Sequence, residues 1–372
     1  ESGADAVYLG GKHFNMRMHE GGFNFDDATL KKAIDYAHAH GVRLYVTLNN
    51  LISNEEIPAL REYLAYLNEI RPDALLVQDF AVLELVHEMG ITIPLHTSVM
   101  MNTHNEHAIE KLKEYGITRI VVGREMTLSE LSLFRERTGI EVEYFMHGDM
   151  CISESGQCHP HSGVVVLGHE RANRGRCLKP CRWAYQLIDE KTGEVLDEDG
   201  PGAYKLALKD MCMYRAIPQL IQAGVFSFKI EGRMRPAGFI RRIVSTYRKA
   251  IDAYIADPNG YTTDEEGWKN LYDNRARDFT TTFAFGQPGK KDIGFTGERE
   301  PRFFSHAVKE AGFQDEVLRQ ERDIEKANAP HRTLSVRVNT VESAKAAIDN
   351  GADTIYVGGE AFRPLRPWKL GD

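Results

Sequence analysis

The sequence of 372 residues has few cysteines, little excess charge and no long apolar run. No run approaches the roughly 18 residues that a membrane helix needs, which excludes a membrane-spanning protein. Five cysteines are too few for a disulfide scaffold and indicate a reducing compartment, the cytoplasm. The 46 basic and 54 acidic residues give a net charge of −8, which excludes a generally basic nucleic-acid coat.

The two ends of the chain carry an internal repeat. Residues 3–14 and 351–362 share most of their positions, and the chain begins without an initiator methionine. A strand-like run at 334–338 and a helical pattern precede the second copy, whereas the first copy has neither. We therefore expect a first domain, residues 1–256, that lacks its first strand and helix, and the beginning of a second, homologous domain at 332–372.

Short apolar runs alternate with amphipathic segments of helix length from Ala6 onward. This alternation predicts parallel strands joined by right-handed crossovers. The number of units favours an α/β fold of the TIM-like (β/α)8 barrel type over an open doubly wound sheet, and no GxGxxG or Walker loop follows a strand. Two stretches interrupt the pattern, a Cys-rich insertion at 148–204 and a turn-rich connector at 257–331.

Polar residues stand where the predicted strands end. Barrels of this type carry their chemistry at the carboxyl ends of the strands, so these residues predict a polar mouth. Lys229, Glu231 and Arg233 alternate along and beyond one strand, and we favour them as pocket residues over structural ion pairs. Lys209 and Asp210 end a neighbouring strand and extend the predicted pocket. The weaker candidates are Asn49, Asn50, His96 and Thr97.

Four of the five cysteines lie close together in the insertion. Their polar surroundings argue against buried packing thiols, and the compartment argues against disulfides. The C-x6-C spacing of the first pair suits structural zinc poorly, whereas a [4Fe–4S] cluster takes four thiolates at irregular spacing. The fifth, Cys212, is either a spare buried thiol or an alternate ligand. The four predicted ligands are Cys151, Cys158, Cys177 and Cys181.

Two basic stretches accompany these cysteines. Residues 228–250 contain seven basic residues against Glu231 alone. Such charge stabilises thiolates and an anionic cluster, and it also attracts a phosphate backbone or an anionic metabolite. Solvated surface charge is the alternative interpretation for both stretches. The basic residues around the second cysteine pair are Arg171, Arg174, Arg176, Lys179 and Arg182.

Several segments of the sequence resemble the peptidase U32 family, over about residues 1–256. The matching segments are 143–151, 156–158, 176–183, 206–212 and 228–234. Two positions depart from the family pattern. Asp149 stands where the family has a small residue, and His159-Pro160-His161 replaces the residues that normally follow the second cysteine.

The resemblance implies both a cofactor and an activity. Better-understood members are iron–sulfur proteins that hydroxylate an RNA base, a tRNA wobble uridine or an rRNA cytidine, without molecular oxygen. The RNA-modifying members depend on prephenate or a related metabolite. For this chain the resemblance implies a [4Fe–4S] cluster on the four clustered cysteines. The residues expected to orient RNA or an anionic co-substrate are Lys209, Asp210, Lys229, Glu231 and Arg233.

The family also includes proteins described as peptidases and collagenases. A peptidase needs an activated nucleophile or a metal-bound water, and the sequence has neither HExxH nor GxSxG. Cys151 with His147 or His159 is the remaining arrangement for a thiol peptidase, although that chemistry uses one cysteine rather than four. A zinc-stabilised binding module is a third interpretation. We expect an RNA-base hydroxylase, with a peptidase as the alternative.

Overall fold

The structure is a computed structural model, and it describes most of the chain. The chain divides into two units, Glu1–Ala311 and Gly312–Asp372, each with a sheet of its own. No helix within the described segments is both long and apolar enough to cross a membrane. The described residues are 1–18, 22–158, 174–175, 177, 179–197, 203–297 and 333–358.

A mostly parallel sheet forms the centre of the first unit. Its strands are β1 (Ala6–Leu9), β2 (Arg43–Leu48), β3 (Ala74–Val77), β4 (Leu95–Thr97), β5 (Ile117–Val121), β6 (Glu141–Gly148), β7 (Asp210–Cys212), β8 (Ser227–Ile230) and β9 (Phe279–Thr280). Strands β1 to β6 pair in parallel in chain order, and β8 pairs in parallel with β6. Strand β7 runs antiparallel to β6 and parallel to β9.

This topology confirms the predicted mixed α/β class with a mostly parallel sheet. The hydroxyl of Tyr8 in β1 donates a hydrogen bond to Glu231, just beyond β8, over 2.7 Å. The sheet therefore curves enough for side chains of these two strands to meet. No ladder joins β8 to β1 in the described part of the chain, and closure into a TIM-like barrel stays a prediction.

Helices connect the strands of the first unit. They are α1 (Asp27–Ala39), α2 (Ile57–Ile70), α3 (Phe80–Glu88), α4 (Glu106–Glu114), α5 (Leu128–Thr138), α6 (Ile217–Gln222), α7 (Ala237–Ala256) and α8 (Glu265–Asp273). Local chemistry sets their ends. At the start of α5 the backbone N–H of Thr127 donates to Glu130, and the N–H of Glu130 donates back to the Thr127 hydroxyl. The same helix ends at Gly139, whose φ of 66° is the left-handed conformation that glycine adopts most easily.

The core lies between the sheet and its helices. Every residue of β3 is buried, and β2 is buried except at Arg43. Leu60, Leu64 and Leu67 on one face of α2 are fully buried. Strands buried on both faces are apolar throughout, which is why the sequence shows short apolar runs rather than alternation. The carboxyl ends of these strands are consequently the places where polar residues reach a surface.

The sheet of the first unit extends beyond the predicted boundary at residue 256. Helix α8 and strand β9 fall in the stretch that the sequence interpretation assigned to a connector. Phe279 of β9 packs against the rings of His147 and Trp268, with centroid distances of 5.4 and 5.8 Å. The Thr280 hydroxyl donates to Asp292 over 2.5 Å. A strand of two residues is too short to show a period-two pattern. The prediction of a connector therefore rested on the turn-rich composition of this stretch.

The second unit contains the strand and the helix that the sequence predicts before the second repeat copy. Its described elements are β10 (Ser335–Val338), α9 (Val341–Asp349) and β11 (Thr354–Val357), and the two strands pair in parallel. Strand β11 occupies the same repeat position as β1 in the first unit. That this unit begins a second homologous domain stays a prediction.

Candidate functional site

The four clustered cysteines are half-buried neighbours beyond the end of β6. Burial is the main cause that raises the pKa of Cys177 and Cys181, the latter to about 12. Charge on Cys151 or Cys158 raises the pKa of both further. The first cysteine pair therefore influences the titration of the second. Both thiols of the second pair are therefore protonated at neutral pH.

The donor set of this site suits an iron–sulfur cluster, because such clusters are held by cysteine thiolates. Among the described residues, no three His, Cys, Asp or Glu side chains converge closely enough to hold a metal ion as they stand. The thiols are thus neighbours without a coordination geometry. The backbone N–H of Lys179 donates to the Cys177 sulfur, and the charge of Arg17 lowers the pKa of that thiol. Both contacts favour the thiolate form that a metal requires.

The first cysteine pair is attached to the end of β5. The backbone N–H and the hydroxyl of Ser155 donate to the Glu125 carboxylate over 3.2 and 3.1 Å. The same carboxylate lies 2.7 Å from Nε2 of His104. Gly156 has a φ of 79°, and a Cβ there would lie 2.3 Å from the carbonyl oxygen of Met100. Only glycine allows the loop to approach the sheet this closely.

The second cysteine pair is attached to the end of β2 and to the strands beyond it. Arg174 forms a two-pronged ion pair with Glu56 over 2.6 and 2.9 Å and donates to the carbonyl of Leu51. Paired bonds of this geometry fix both position and orientation. Buried Arg182 donates to the carbonyl oxygens of Met150 and Leu208 over 2.6 and 2.5 Å. The described part of the second cysteine pair's loop, residues 174–175, 177 and 179–182 (the cysteine segment), is therefore anchored to residues that follow β2 and β6.

Asp149, two residues before Cys151, is the centre of a largely buried ion cluster. Its carboxylate lies 2.6 Å from Arg235, 2.8 Å from Arg277 and 3.3 Å from Lys179. These cations hold the pKa of Asp149 well below its usual range although burial alone would raise it. Arg277 also donates to Asp210 over 2.9 Å. Burial and the Asp149 charge raise the pKa of Asp210. As the pH rises, Asp149 therefore loses its proton before Asp210 does.

The three charged residues predicted at the end of β8 are present, but most of their charge is already paired. Lys229 is buried 2.6 Å from Glu143 and 4.4 Å from the centre of the Tyr8 ring. Glu231 accepts the hydrogen bond from Tyr8 described above. The structure thus places Lys229 in a structural ion pair, which the sequence interpretation had ranked second. The pairing follows from the register, since β6 and β8 are neighbours.

Arg233 lies nearer the mouth than Lys229. Its Nη2 donates to the side-chain oxygens of Asn15 and Asn24 over 2.9 and 2.6 Å, while its buried Nε has no protein acceptor in the described structure. Burial lowers the pKa of Arg233, and the charge of Arg17 lowers it further. Two guanidinium groups therefore lie near each other, and Arg17 is also the cation that affects Cys177.

Other predicted residues are distributed more widely. The ammonium group of Lys209 donates to the carbonyl of Lys291 over 2.6 Å. His96 is buried against the edge of the Tyr45 ring, and burial lowers its pKa to about 4. The Thr97 hydroxyl accepts from the backbone of Val121, which is a structural contact within the sheet.

The asparagines at the end of β2 also have local partners. Asn49 donates to Ser98 over 3.0 Å and accepts from the backbone of Met16. Asn50 is fully buried and donates to the carbonyl of Leu51, while its side-chain oxygen has no acceptor role in the described structure. These contacts support a turn that joins β2 to its neighbours.

Cys212 does not join the other four cysteines. It is buried in β7 with its sulfur 3.4 Å from the Tyr247 hydroxyl, and burial raises its pKa to about 11. The structure therefore does not support Cys212 as an alternate ligand. His147 lies 3.2 Å from the same hydroxyl, and burial lowers its pKa to about 3. His147 is thus part of the core and is not the base of a Cys151 dyad, while His159 lies outside the described residues.

Part of the predicted basic surface is paired as well. Arg241 pairs with Glu1, Arg248 with Asp5, and Lys249 with Asp264. Arg171 and Arg176 lie outside the described residues. A basic face for RNA therefore stays a prediction.

The sequence interpretation did not anticipate the residues that anchor the cysteine segment. In the sequence, the only signal at Glu56 is its capping-box spacing with Ser53. The only signal at Asp149 is its departure from the family pattern. Arg277 lies 128 residues from its partner Asp149, inside the stretch assigned to a connector. Long-range charge pairs leave no local pattern, so only the fold could identify these three.

Comparison with known proteins adds an independent line of information. A family model described as Peptidase family U32 matches residues 1–294. The tRNA hydroxylation protein P1 of Bacillus subtilis (strain 168) is 32% identical over 361 residues, which cover 95% of this chain and 81% of that protein. The 23S rRNA 5-hydroxycytidine C2501 synthase of Escherichia coli (strain K12) is 34% identical over 258 residues, 68% of this chain and 37% of that protein. An uncharacterized protease of Methanocaldococcus jannaschii is 34% identical over 289 residues, 76% of this chain and 68% of that protein.

Proposed function

Because the chain belongs to peptidase family U32, we propose that it is an RNA-modifying enzyme that hydroxylates an RNA base without molecular oxygen. Relatives named for tRNA hydroxylation and for rRNA 5-hydroxycytidine synthesis support RNA as the substrate. A tRNA wobble uridine and an rRNA cytidine are the two target bases that we propose.

We propose further that Cys151, Cys158, Cys177 and Cys181 hold a [4Fe–4S] cluster. The observation that supports this most is that Cys151 and Cys158 both raise the pKa of Cys177 and of Cys181, so the two pairs influence one another electrostatically. A cluster held by these thiolates would supply one-electron redox chemistry at the site. The protein residues around it would hold the cysteine segment over the strand ends and favour the thiolate form.

An anionic organic co-substrate of the prephenate type is the third part of the proposal. Arg233 and Arg17 support it, because the positive charge of each makes the charged form of the other less favourable. An anion beside them would offset that repulsion. The buried Nε of Arg233 has no acceptor among the described residues. Glu231 and Asn15 would fix the orientation of Tyr8 and Arg233 around this position.

The peptidase alternative is less well supported by the site. A nucleophilic cysteine needs a lowered pKa and a base within reach. Here His147, one of the two bases considered for Cys151, is buried and lies 3.2 Å from the Tyr247 hydroxyl, and burial lowers its pKa to about 3. Raised thiol pKa values suit ligands that lose their protons only when a metal arrives.

Metal analysis after anaerobic purification tests the cofactor. We expect iron and acid-labile sulfide at close to equal amounts, with a strong loss in Cys158→Ser. Cys212→Ser is the matched control and should keep both, because Cys212 contacts Tyr247 rather than the other thiols. Stoichiometric zinc without sulfide would contradict the cluster.

Nucleoside mass spectrometry tests the activity. RNA from a deletion strain should lack a hydroxylated base, and the wild-type gene should restore it whereas the Cys158→Ser gene should not. An unchanged nucleoside profile in the deletion strain, together with cleavage of a protein substrate by the purified chain, would favour the peptidase alternative.

A further inference from the structure

The two cysteine pairs are far apart along the chain. The covalent chain alone therefore does not fix the distance between their sulfur atoms, and other contacts must do so. Cys151 and Cys158 follow β6, whereas Cys177 and Cys181 come nearly twenty residues later. Each pair has its own attachment to the strand ends, through Glu125 for the first and Glu56 for the second. These attachments fix each pair to the sheet and leave open what links one pair directly to the other.

A direct link runs through Asp149. This residue lies two positions before Cys151, and its carboxylate pairs with Lys179, which lies midway between Cys177 and Cys181. Lys179 is also the residue whose backbone N–H donates to the Cys177 sulfur. Lys179 thus contacts the predicted ligand Cys177 through its backbone, and through its side chain it contacts Asp149, two residues before the first cysteine pair.

The backbone of Lys179 is consistent with a fixed position. Its φ of 52° and ψ of 50° are left-handed, a strained conformation for a non-glycine residue that persists only where its surroundings hold it. A short 3-10 turn, Pro180–Arg182, follows immediately and carries Cys181. The ion pair with Asp149 is one of the contacts that hold this turn in place.

Asp149 is itself rigidly held. Arg235, beyond β8, and Arg277, before β9, contact the same carboxylate oxygen over 2.6 and 2.8 Å. A carboxylate in such surroundings needs partners with good geometry to offset its desolvation. Asp149 has three such partners. Arg235 and Arg277 come from beyond β8 and before β9, and Lys179 lies between the two cysteines of the second pair. It also stands where the family pattern has a small residue.

We propose that Asp149 is a positioning residue for the four-thiol centre, setting the separation of the two cysteine pairs through Lys179. The proposal deepens the proposed function, since it concerns the same thiols. Asp149 does not contact a cysteine directly in the described structure; it acts through Lys179. Residues that orient metal ligands in this way typically change metal affinity by about 10-fold to 100-fold when they are replaced.

The test compares Asp149→Asn with Asp210→Asn in the full chain. Both variants remove a carboxylate that contacts Arg277 and Arg235, whereas only Asp149 contacts Lys179. We expect Asp149→Asn to lower affinity for the reconstituted metal about 10-fold or more and to change the electron paramagnetic resonance spectrum of what remains. Asp210→Asn should lose thermal stability and keep the wild-type metal content and spectrum.

Two further variants keep the proposal falsifiable if Asp149→Asn does not fold. Lys179→Met removes the link while Asp149 keeps Arg235 and Arg277, and it should lower metal affinity as much as Asp149→Asn. Asp149→Glu keeps the charge and should restore part of the affinity. Equal metal content and spectra in wild type, Asp149→Asn and Lys179→Met would overturn the proposal, as would an equal loss in Asp210→Asn.

The same comparison separates this inference from the proposed function. If the wild-type chain carries zinc without sulfide, the cluster is wrong, and the four variants are then compared by zinc content. A loss confined to Asp149→Asn and Lys179→Met would support the positioning role at a zinc centre. A wild-type chain that takes up neither metal would overturn both.

Discussion

The ammonium group of Lys229 is buried inside the curved sheet. It lies 2.6 Å from Glu143, whose carboxylate also accepts from the Ser227 hydroxyl and lies 3.6 Å from Arg119. These cations lower the pKa of Glu143 although burial opposes it. The charge of Lys229, which the sequence assigned to a substrate pocket, is therefore neutralised by Glu143 in the interior.

Replacing Lys229 with methionine tests this pairing. Removing one partner leaves the Glu143 carboxylate with less compensation in a buried site, so we expect a loss of about 3–5 kcal/mol in the free energy of unfolding. Lys31→Met is the control, because Lys31 and Asp35 form an exposed pair on α1, worth less than about 0.5 kcal/mol. Urea denaturation measures both. Equal effects of the two substitutions would place Lys229 in a solvated pocket instead.

His96 predicts how stability depends on pH. Burial lowers its pKa from 6.5 to about 4, so the unfolded chain takes up a proton before the folded chain does as the pH falls. Stability from this residue is complete above pH 6.5 and is lost between pH 6.5 and about 4, on the order of 3 kcal/mol for a shift of this size. Arg119 and Lys229 nearby oppose protonation, and Glu143 favours it.

Urea denaturation at pH 7.0 and pH 4.5 measures this effect. The wild-type chain should lose stability between the two values, and His96→Gln should lose less. His107→Gln, on an exposed position of α4, should behave as the wild type. A His96→Gln variant with the full wild-type loss would show that His96 does not titrate in this range.

At the scale of residues, the sequence was most informative where like residues cluster. The four cysteines were predictable as a group, and in the structure the first pair influences the titration of the second. The partners of Lys229 and Asp149 were not, because an ion pair between distant residues depends on strand register. Three charges spaced by two along β8 looked the same whether they line a pocket or pair across the sheet.

At the scale of elements, α8 and β9 are the main addition to the expected fold. Helix α8 has a hydrophilic surface and one buried leucine, Leu271, which is 3% exposed. The amphipathic pattern of α8 is short, and the helix follows a turn-rich stretch whose composition is typical of a linker. The longer helices, such as α2 with its buried leucines, were predictable from periodicity alone.

Leu271→Ala tests whether α8 belongs to the first unit. A buried leucine contributes about 2–5 kcal/mol when truncated to alanine, so unfolding of this unit should shift by that amount. Lys269→Ala, an exposed position on the same helix, is the control and should change little. Thermal denaturation followed by circular dichroism measures both. If the two variants unfold alike, this stretch acts as the connector that the sequence suggested.

At the scale of the whole molecule, the two units differ in how many of their hydrophobic residues are buried. The first unit has strands that are buried throughout, whereas in the second only Val338 and Ala344 are buried hydrophobic residues among those described. Tyr356 of β11 is 60% exposed. Elements with so little burial open locally at low free energy.

Hydrogen exchange on the intact chain checks this difference. Amides of β10 and β11 should exchange much faster than those of β2 and β3, because their ladder is not covered by a core. The control is α7, which buries one face in the first unit and should be protected. Equal protection of β11 and β3 would show that another surface covers the second unit in solution.

The buried position of Cys181 also bears on the lifetime of the metal-free protein. With a pKa of about 12, only about one thiol in 10⁵ is a thiolate at pH 7, and the thiolate is the form that reacts with oxidants and disulfides. The Cys181 thiol of the metal-free chain should therefore react slowly with oxidants and disulfides. A metal of the proposed kind would displace the proton of this thiol, so acidification should slow metal loading.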